Sequence, residues 1–218
     1  MTNNERGTTM TTTEVANVVL PSGPFSVVVA DPPWQYNPST TAASRRGGKG
    51  GRAEWHYPTM TNQEIANLPV SSIVADDAHL FLWVTNPRMF GGRYDNLSPK
   101  DIAEAWAFEY RTLLTWVKTT KAGAPMRGGL GFYFRGCTEH VLYCTRGKAR
   151  ITEGLREANV IMAPRGRRSE KPQVFFDMVD RVVPGGARLE IFARHPRPGW
   201  SVWGDEIQAS SPTTVPTS

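Results

Sequence analysis

The sequence lacks the features that mark a membrane or secreted protein. No apolar stretch approaches the ~18 residues that a transmembrane helix requires. Residues 1–17 are rich in Thr and Asn and contain no apolar signal-peptide core, so a secretory signal is not expected. We expect a disordered leader over 1–15, one domain over 16–207 and a disordered tail over 208–218.

Cysteine is also scarce. Only Cys137 and Cys144 are present, their spacing matches no metal motif, and two cysteines do not form a disulfide framework. We therefore predict no metal site and interpret both thiols as reduced core residues of a cytoplasmic protein.

Positive charge is in moderate excess, with 25 Lys and Arg against 20 Asp and Glu. Basic residues cluster in 44–52, in 146–150 and in 165–171. Such clusters neutralise phosphates in nucleic-acid-binding proteins, although each one alone also fits a solvated surface.

Short apolar runs predict buried strands. Each run is rich in Val, Leu, Ile, Phe or Trp and is apolar on both faces, which is typical of a parallel sheet covered by helices. The predicted strands are Phe25–Ala30, His79–Val84, Leu113–Lys118, Glu139–Thr145 and Arg188–Ala193.

Helix signals lie between these runs. Capping-box patterns begin at Thr61 and Ser98, and residues 172–186 combine a helical apolar spacing with a terminal Pro-Gly-Gly. The alternation predicts a doubly wound α/β fold, with a mostly parallel sheet and helices on both faces.

Two long segments, 36–58 and 119–137, carry neither signal. Both mix Arg or Lys with aromatic residues, a pairing that contacts phosphates and stacks on bases. We expect mobile loops, and contact with nucleic acid and a plain connecting role both remain open for each.

The sequence Asp31-Pro32-Pro33-Trp34 follows the first predicted strand. Ligands of open α/β sheets bind at the carboxyl ends of the strands. Asp31 offers a carboxylate, and Pro32 offers a carbonyl for which we expect no local donor. Pro33 stiffens the segment, and Trp34 is expected to expose an aromatic face.

Two rigid acceptors beside an aromatic ring suit the exocyclic amine of a purine. Each acceptor takes one N–H and frees the nitrogen lone pair to attack an electrophile, while base stacking adds ~1–3 kcal/mol. The alternative is an ordinary strand-to-loop turn, since Asp and Pro are common turn residues.

The chain resembles the MT-A70-like family of adenine N6-methyltransferases. The resemblance implies a Rossmann-like class I methyltransferase fold with a permuted motif order, S-adenosyl-L-methionine as cofactor and adenine N6 as acceptor. It is carried by eight segments in family order: 28–34, 56–70, 81–87, 105–118, 130–148, 170–182, 189–194 and 199–206.

The resemblance also implies site residues. Asp31 and Pro32 would hold the target N6, and Trp34 would pack against the target base. Lys171 would contact the methionyl part of the cofactor, as would Asp31. Further cofactor contacts are implied at Asn17, Val18, Glu190, Arg194, His195, Asp205 and Glu206. Substrate contacts are predicted at Tyr36, Trp55, His56, Tyr57, Lys118, Arg127, Arg135 and Glu139.

One position departs from the family pattern. Asp205 stands in Trp-Gly-Asp-Glu, where the family is expected to have Asn. An amide donates and accepts hydrogen bonds, whereas a carboxylate only accepts them, so Asp205 could accept an adenine N6–H of the cofactor but could not donate to N1 unless protonated.

Three alternatives concern the activity. A catalytically silent nucleic-acid-binding subunit is disfavoured because the Asp-Pro-Pro-Trp motif is intact. Transfer to cytosine N4 is disfavoured because enzymes of that kind more commonly have serine in place of Asp31. The compact chain favours DNA over RNA and a prokaryotic or phage-infected cell. A monomer and a homodimer both remain open.

Overall fold

The computed structural model describes residues 18–35, 59–91, 96–129, 133–166, 170–205 and 207. These residues contain three α-helices, α1 (Asn62–Ala66), α2 (Pro99–Ala105) and α3 (Gln173–Val182). They also contain seven strands: β1 (Phe25–Ala30), β2 (Val74–Val84), β3 (Glu109–Thr119), β4 (Thr138–Arg146), β5 (Val160–Pro164), β6 (Arg188–Ile191) and β7 (Ser201–Trp203).

All seven strands form one sheet in the order β5-β3-β4-β2-β1-β6-β7. Every pairing is parallel except those of β4, which is antiparallel to both β2 and β3. This confirms the mostly parallel sheet. Six strands therefore end, and β4 begins, at one edge of the sheet. We call this the carboxyl edge and the opposite one the amino edge.

The central strand β1 separates two layers of core. Val28 and Ala30 pack in a cluster that includes residues of α1 and α2. Val27 and Val29 pack in a second cluster that includes the apolar face of α3. This alternation places helices on both faces, as predicted, because successive side chains of a strand point to opposite sides.

The five predicted strands are present, with differences in length. The last one stops at Ile191 instead of Ala193 because Phe192 adopts a left-handed conformation, with φ of 65°. Strands β5 and β7 were not predicted. Each is an edge strand of at most five residues, with too few buried positions to produce a continuous apolar run.

Both predicted capping boxes are formed. The hydroxyls of Thr61 and Ser98 accept from the backbone N–H of Glu64 and Asp101, whose carboxylates accept from the cap residues in return. Helix α3 is the longest of the three, at 10 residues. No helix in the described ranges is long and apolar enough to cross a membrane.

Candidate active site at the carboxyl edge

A chain of alternating charges lies at the carboxyl edge. The Lys171 Nζ atom lies 2.9 Å from Asp31 Oδ2 and 2.9 Å from Glu139 Oε2. The other oxygen of Glu139, Oε1, accepts from Lys118 Nζ at 2.5 Å. We call these four residues the ion cluster. Its formal charge is zero, because two ammonium groups face two carboxylates.

The fold brings the ion cluster together from four separate elements. Asp31 directly follows β1, and Lys171 precedes Pro172, the residue that caps α3. Glu139 lies at the start of β4 and pairs in register with Trp116 of β3, near Lys118. Strand register therefore sets which charges meet.

The ion cluster is largely removed from solvent. The side chains of Lys171 and Glu139 are 9% and 10% exposed, whereas Asp31 keeps 26%. Each ammonium also lies over an indole ring, Lys171 Nζ at 5.0 Å from the centre of Trp83 and Lys118 Nζ at 5.2 Å from that of Trp116. Such cation–π contacts attract each ammonium to the face of its ring.

Burial and pairing shift the pKa values in different directions. Burial raises the pKa of Asp31, and neighbouring Glu139 adds to the rise that Lys171 only partly offsets. Burial alone also raises the pKa of Glu139, but the two lysines outweigh it and the net pKa is lowered. Burial lowers the pKa of Lys171, yet its two carboxylate partners outweigh burial and raise it.

These shifts give the carboxylates different roles. Glu139 is held ionised between two cations, and Lys171 stays protonated. Asp31 is the group of the ion cluster that most readily takes up a proton, and it is also the most exposed of the three central members. It is therefore the member that a ligand can reach.

The Asp-Pro-Pro-Trp segment forms a tight turn, which corrects one prediction. The backbone N–H of Trp34 donates to the carbonyl of Pro32 at 2.8 Å, so this carbonyl does have a local donor. A carbonyl oxygen has two lone pairs, and the second can still accept from a ligand. The pair of acceptors predicted at Asp31 and Pro32 therefore rests on that second lone pair.

The exposed aromatic face predicted for Trp34 is wrong. Trp34 is only 4% exposed and belongs to the core cluster on the side of α1 and α2. Its Nε1–H donates to the carbonyl of Trp83 at 3.2 Å, which joins the end of β1 to the end of β2. Trp34 therefore anchors the turn that follows Asp31 to β2 and offers no open stacking surface.

The segment after Trp34 is tied to Met60. The backbone N–H of Met60 donates to Pro33, and the N–H of Gln35 donates to Met60, as a parallel bridge. Residues 35 and 60 therefore lie side by side next to Asp31. The predicted contacts Tyr36, Trp55, His56 and Tyr57 lie outside the described residues.

A second carboxylate lies beside the ion cluster on β6. Glu190 Oε2 accepts from Arg197 Nε at 3.0 Å, and the Arg197 guanidinium stacks on Phe176 at 3.2 Å from the ring centre. Burial raises the pKa of Glu190, although Arg197 opposes it. Sequence reasoning missed Arg197, whose only signal is its place between two prolines.

The left-handed turn at Phe192 redirects the chain after β6. It brings Arg194 into electrostatic range of Asp31 and His195 into range of Glu190. Gly204 approaches this turn so closely that a Cβ atom would lie 2.2 Å from the carbonyl oxygen of Ala193. Only glycine fits there, and Asp205 follows it directly.

Several predicted residues are not brought into the ion cluster. Val18 packs against the core cluster on the side of α1 and α2, and Asp205 is exposed. Arg127 and Arg135 are exposed on the segment between β3 and β4. Asn17 and Glu206 lie outside the described residues.

The segment between β3 and β4 presents aromatic rings to solvent. Tyr133 and Phe134 are 96% and 90% exposed. The two arms of the segment meet at Gly129, where a Cβ atom would lie 2.2 Å from the carbonyl oxygen of Gly136. Arg135 donates to the Gly129 carbonyl at 3.2 Å, so this basic side chain and the two exposed rings lie on the same surface segment.

Sequence reasoning also missed a hydrogen-bonded chain near this edge. His140 Nε2 lies 2.7 Å from Asn86 Oδ1, and His140 Nδ1 lies 3.0 Å from Thr115 Oγ1. Because Asn86 Oδ1 only accepts, the ring proton of His140 belongs on Nε2. These hydrogen bonds hold the segment after β2 against β4. The three polar residues lie far apart in the sequence, so they form no pattern that sequence reasoning could detect.

The fold and this site define a class of protein. The mostly parallel seven-stranded sheet, with its charged site at the carboxyl edge, is a Rossmann-like methyltransferase fold. The MT-A70 family profile matches residues 25–206, and the chain belongs to the MT-A70 family. Within the described residues, no group of three or more His, Cys, Asp or Glu is placed to hold a metal ion.

Three relatives illustrate the range of the similarity. The type II methyltransferase M.MunI of Mycoplasma sp is 34% identical over 86% of this chain and 80% of its own length. The human N(6)-adenosine-methyltransferase catalytic subunit METTL3 is 30% identical over 85% of this chain but 28% of its own. The N6-methyladenosine RNA methyltransferase MTA1 of Pyricularia oryzae is 31% identical over 89% of this chain and 50% of its own.

Proposed function

We propose that this protein transfers the methyl group of S-adenosyl-L-methionine to N6 of adenine in DNA. The observation that carries the proposal is the position of Asp31. Its carboxylate follows the central strand of an MT-A70 fold, is held by a buried lysine and remains open to a ligand.

Asp31 and Pro32 would hold the amine. The contact with Lys171 uses Oδ2 of Asp31, and Oδ1 would accept one N–H of the base. The second lone pair of the Pro32 carbonyl accepts the other N–H. Two acceptors pull the amine out of conjugation with the ring and direct its lone pair towards the cofactor, which is catalysis by positioning and electrostatics.

Proton removal does not require a strong base. After methyl transfer the nitrogen is an N-alkylated arylammonium, which is very acidic and loses its proton readily. Asp31 therefore acts first as an acceptor that orients the amine. Its raised pKa also makes it the member of the ion cluster best able to take up that proton.

The residues present fit the cofactor. When bound, S-adenosyl-L-methionine supplies an electrophilic methyl group. Lys171, beside the first turn of α3, suits its carboxylate, and Asp31 suits its ammonium. Glu190 lies near the end of β6, where an acid suits a ribose diol, and Arg194 and His195 follow it.

The exposed rings and basic side chains support a nucleic-acid substrate. Tyr133 and Phe134 present nearly their whole surface, and Arg127 and Arg135 lie on the same segment. Aromatic stacking and cationic contacts to phosphates are the usual means of gripping a nucleic-acid strand. This segment, at the edge where β3 ends, would approach the polymer around the target base.

DNA is the first candidate polymer. The chain is short, and it covers 80% of the length of the type II methyltransferase M.MunI. RNA is the second candidate, because relatives named as adenosine methyltransferases match nearly the same share of the chain. In those relatives the match covers 28% and 50% of their length.

One assay tests the activity and the polymer together. The protein is incubated with methyl-labelled cofactor and either duplex DNA or RNA, and the digested products are examined by nucleoside mass spectrometry. We expect N6-methyladenine from DNA, and its loss with Asp31→Ala. The proposal is abandoned if neither polymer yields N6-methyladenine; methylation of RNA alone would retain the reaction and change the substrate.

A further inference from the structure

Two adjoining cavities lie at the amino edge, away from the ion cluster. Their volumes are about 370 Å³ and about 310 Å³. Both are lined by Lys148, Ala149 and Arg150, which follow β4. The first also contacts Tyr143, and the second contacts His79. The two cavities therefore share one basic wall.

Three acidic residues lie near this wall: Glu109 and Asp77 have hydrogen-bond partners, Asp77 also lines the second cavity, and Asp76 is exposed. Both carboxylate oxygens of Glu109 accept from Arg111 at 2.8 Å. Asp77 Oδ1 accepts from the backbone N–H of Lys148 at 2.6 Å. Among the described residues, the Lys148 ammonium and the Arg150 guanidinium have neither a hydrogen-bond partner nor an ion-pair partner. The second cavity is therefore lined by two unpaired cations and one acid, Asp77, and no acid of the described residues lines the first cavity.

A buried imidazole adds a third polar group. His79 is 4% exposed, and its Nδ1 lies 2.8 Å from the Tyr143 hydroxyl. Burial raises the pKa of Tyr143 to about 12, so this hydroxyl stays protonated and can donate to Nδ1. In the tautomer in which Tyr143 donates, the ring proton of His79 is on Nε2, which has no hydrogen-bond partner among the described residues.

The second cavity is open because glycine borders it. Gly185 and Gly186, after α3, have φ of 79° and 76° and contribute no side chain. A Cβ atom on Gly186 would lie 2.0 Å from Ser26 Oγ. The backbone therefore comes close to β1 while the space beside His79 remains free.

This region is separate from the proposed active site. Glu139 and Thr145 lie on the same strand, and Thr145 pairs in register with His79. At a rise of about 3.3 Å per residue, Glu139 and Thr145 are about 20 Å apart. A ligand at the amino edge would not touch the ion cluster.

We propose that the amino edge binds a phosphate group, held by the Lys148 ammonium, the Arg150 guanidinium and the Nε2–H of His79. Two cations and one neutral donor suit an oxyanion with several acceptor oxygens, because charge-assisted hydrogen bonds are the strongest available to it. The phosphate belongs either to a free phosphate compound or to a nucleic-acid backbone. This inference is independent of the proposed methyl transfer.

The test follows the histidine signals of the full-length protein by NMR. The chain has four histidines, so the ring signal of His79 can be assigned by substituting the other three. Inorganic phosphate is titrated at constant ionic strength against chloride. We expect a saturable shift of the His79 signal, and an apparent affinity weaker by about tenfold or more in Lys148→Ala/Arg150→Ala.

A matched control removes two positive charges elsewhere. Lys100 and Arg156 are exposed and do not line either cavity. The variant Lys100→Ala/Arg156→Ala should titrate like the parent protein. No saturable shift in the parent, or an equal affinity in the Lys148/Arg150 variant, would overturn the proposal.

A competition experiment identifies the source of the phosphate. A short DNA duplex is added to the phosphate-saturated protein. Return of the His79 signal to its phosphate-free position, or a new shift that Lys148→Ala/Arg150→Ala abolishes, supports the site and assigns it to nucleic acid. Retention of the phosphate shift supports the site and assigns it to a free phosphate compound.

Discussion

The two edges of this sheet use charged residues in opposite ways. At the carboxyl edge, Lys118, Glu139, Lys171 and Asp31 pair with one another in a buried, formally neutral chain. At the amino edge, Glu109 pairs with Arg111 and Asp77 accepts from a backbone N–H, whereas the exposed Lys148 and Arg150 side chains remain unpaired within the described residues. The first arrangement fixes geometry, whereas the second creates attraction for an anion.

This difference has an energetic consequence. Breaking a buried pair leaves an uncompensated charge with little access to water, so every member of the ion cluster depends on the others. Removing an exposed cation that has no partner changes the free energy of unfolding very little. Removing a charged residue from the carboxyl edge should therefore lower the free energy of unfolding much more than removing one from the amino edge.

The largest effect is expected for Lys171→Met. It leaves Asp31 and Glu139 without their shared cation, and loss of one partner from a buried pair costs about 3–5 kcal/mol. Urea denaturation should show a loss near this size, compared with about 0.5 kcal/mol or less for Lys148→Met at the amino edge. Equal losses of stability in the two variants would contradict the expected difference between the two edges.

The pH dependence gives that variant a second signature. Without Lys171, burial raises the pKa values of the two carboxyls above those of the unfolded chain. The folded variant then binds more protons than the unfolded one, so the free energy of unfolding rises as the pH falls through these values. The destabilisation relative to the parent should therefore shrink in acid.

The next effect concerns Asp31→Asn. The amide loses the negative charge that holds Lys171 and accepts at only one atom, so methyl transfer should fall by about 10²–10³-fold. Radiolabel incorporation into DNA measures it. Asp76→Asn, an exposed acid at the amino edge, should leave the rate unchanged. A comparable loss in both variants would show that the effect is not specific to the carboxyl edge.

A smaller effect is expected for Trp34→Phe. The variant loses the Nε1–H that satisfies the buried Trp83 carbonyl, and an unpaired buried acceptor costs about 1–3 kcal/mol. Trp203→Phe is the matched control, because the buried Nε1 of Trp203 has no hydrogen-bond partner among the described residues. Equal destabilisation in the two variants would mean that the Trp34 bond contributes nothing beyond ring volume.

The smallest effect is a shift in the pH profile of Glu139→Gln. Neighbouring Glu139 helps to raise the pKa of Asp31, so removing its charge should lower that pKa. Methyl transfer falls as Asp31 becomes protonated, and the acid limb of kcat/KM should therefore move to lower pH. Glu157→Gln, at an exposed ion pair, should leave the limb in place. Movement to higher pH in Glu139→Gln would contradict the assigned electrostatics.

Much of the fold could be predicted from local sequence. The uninterrupted apolar run of β1, the capping residues Thr61 and Ser98, and the apolar spacing of α3 are signals contained within a few residues. The short edge strands β5 and β7 bury too few side chains to produce such a signal. Local sequence patterns therefore predict a helix or strand well when that element packs into the core.

The site divides in the same way. Asp31 and Lys171 could be named from motifs, but the contact of Lys171 with Glu139 depends on the register of β4 against β3. Trp34 was predicted to be exposed because a tryptophan after two prolines has no local reason to be buried. Its burial depends on the carbonyl of Trp83, 49 positions away. Non-local pairing decides such contacts, and no single segment encodes it.

The position of β1 has a consequence for protein synthesis. This strand is the first of the sheet to leave the ribosome, yet its second neighbour is β6, and Ser26 bonds to Ala187 across 161 positions. A nascent chain that has reached only β2 leaves one side of its central strand without a partner. Contacts of such long range form late, so Asp31 acquires its complete surroundings only when translation of the domain is nearly finished.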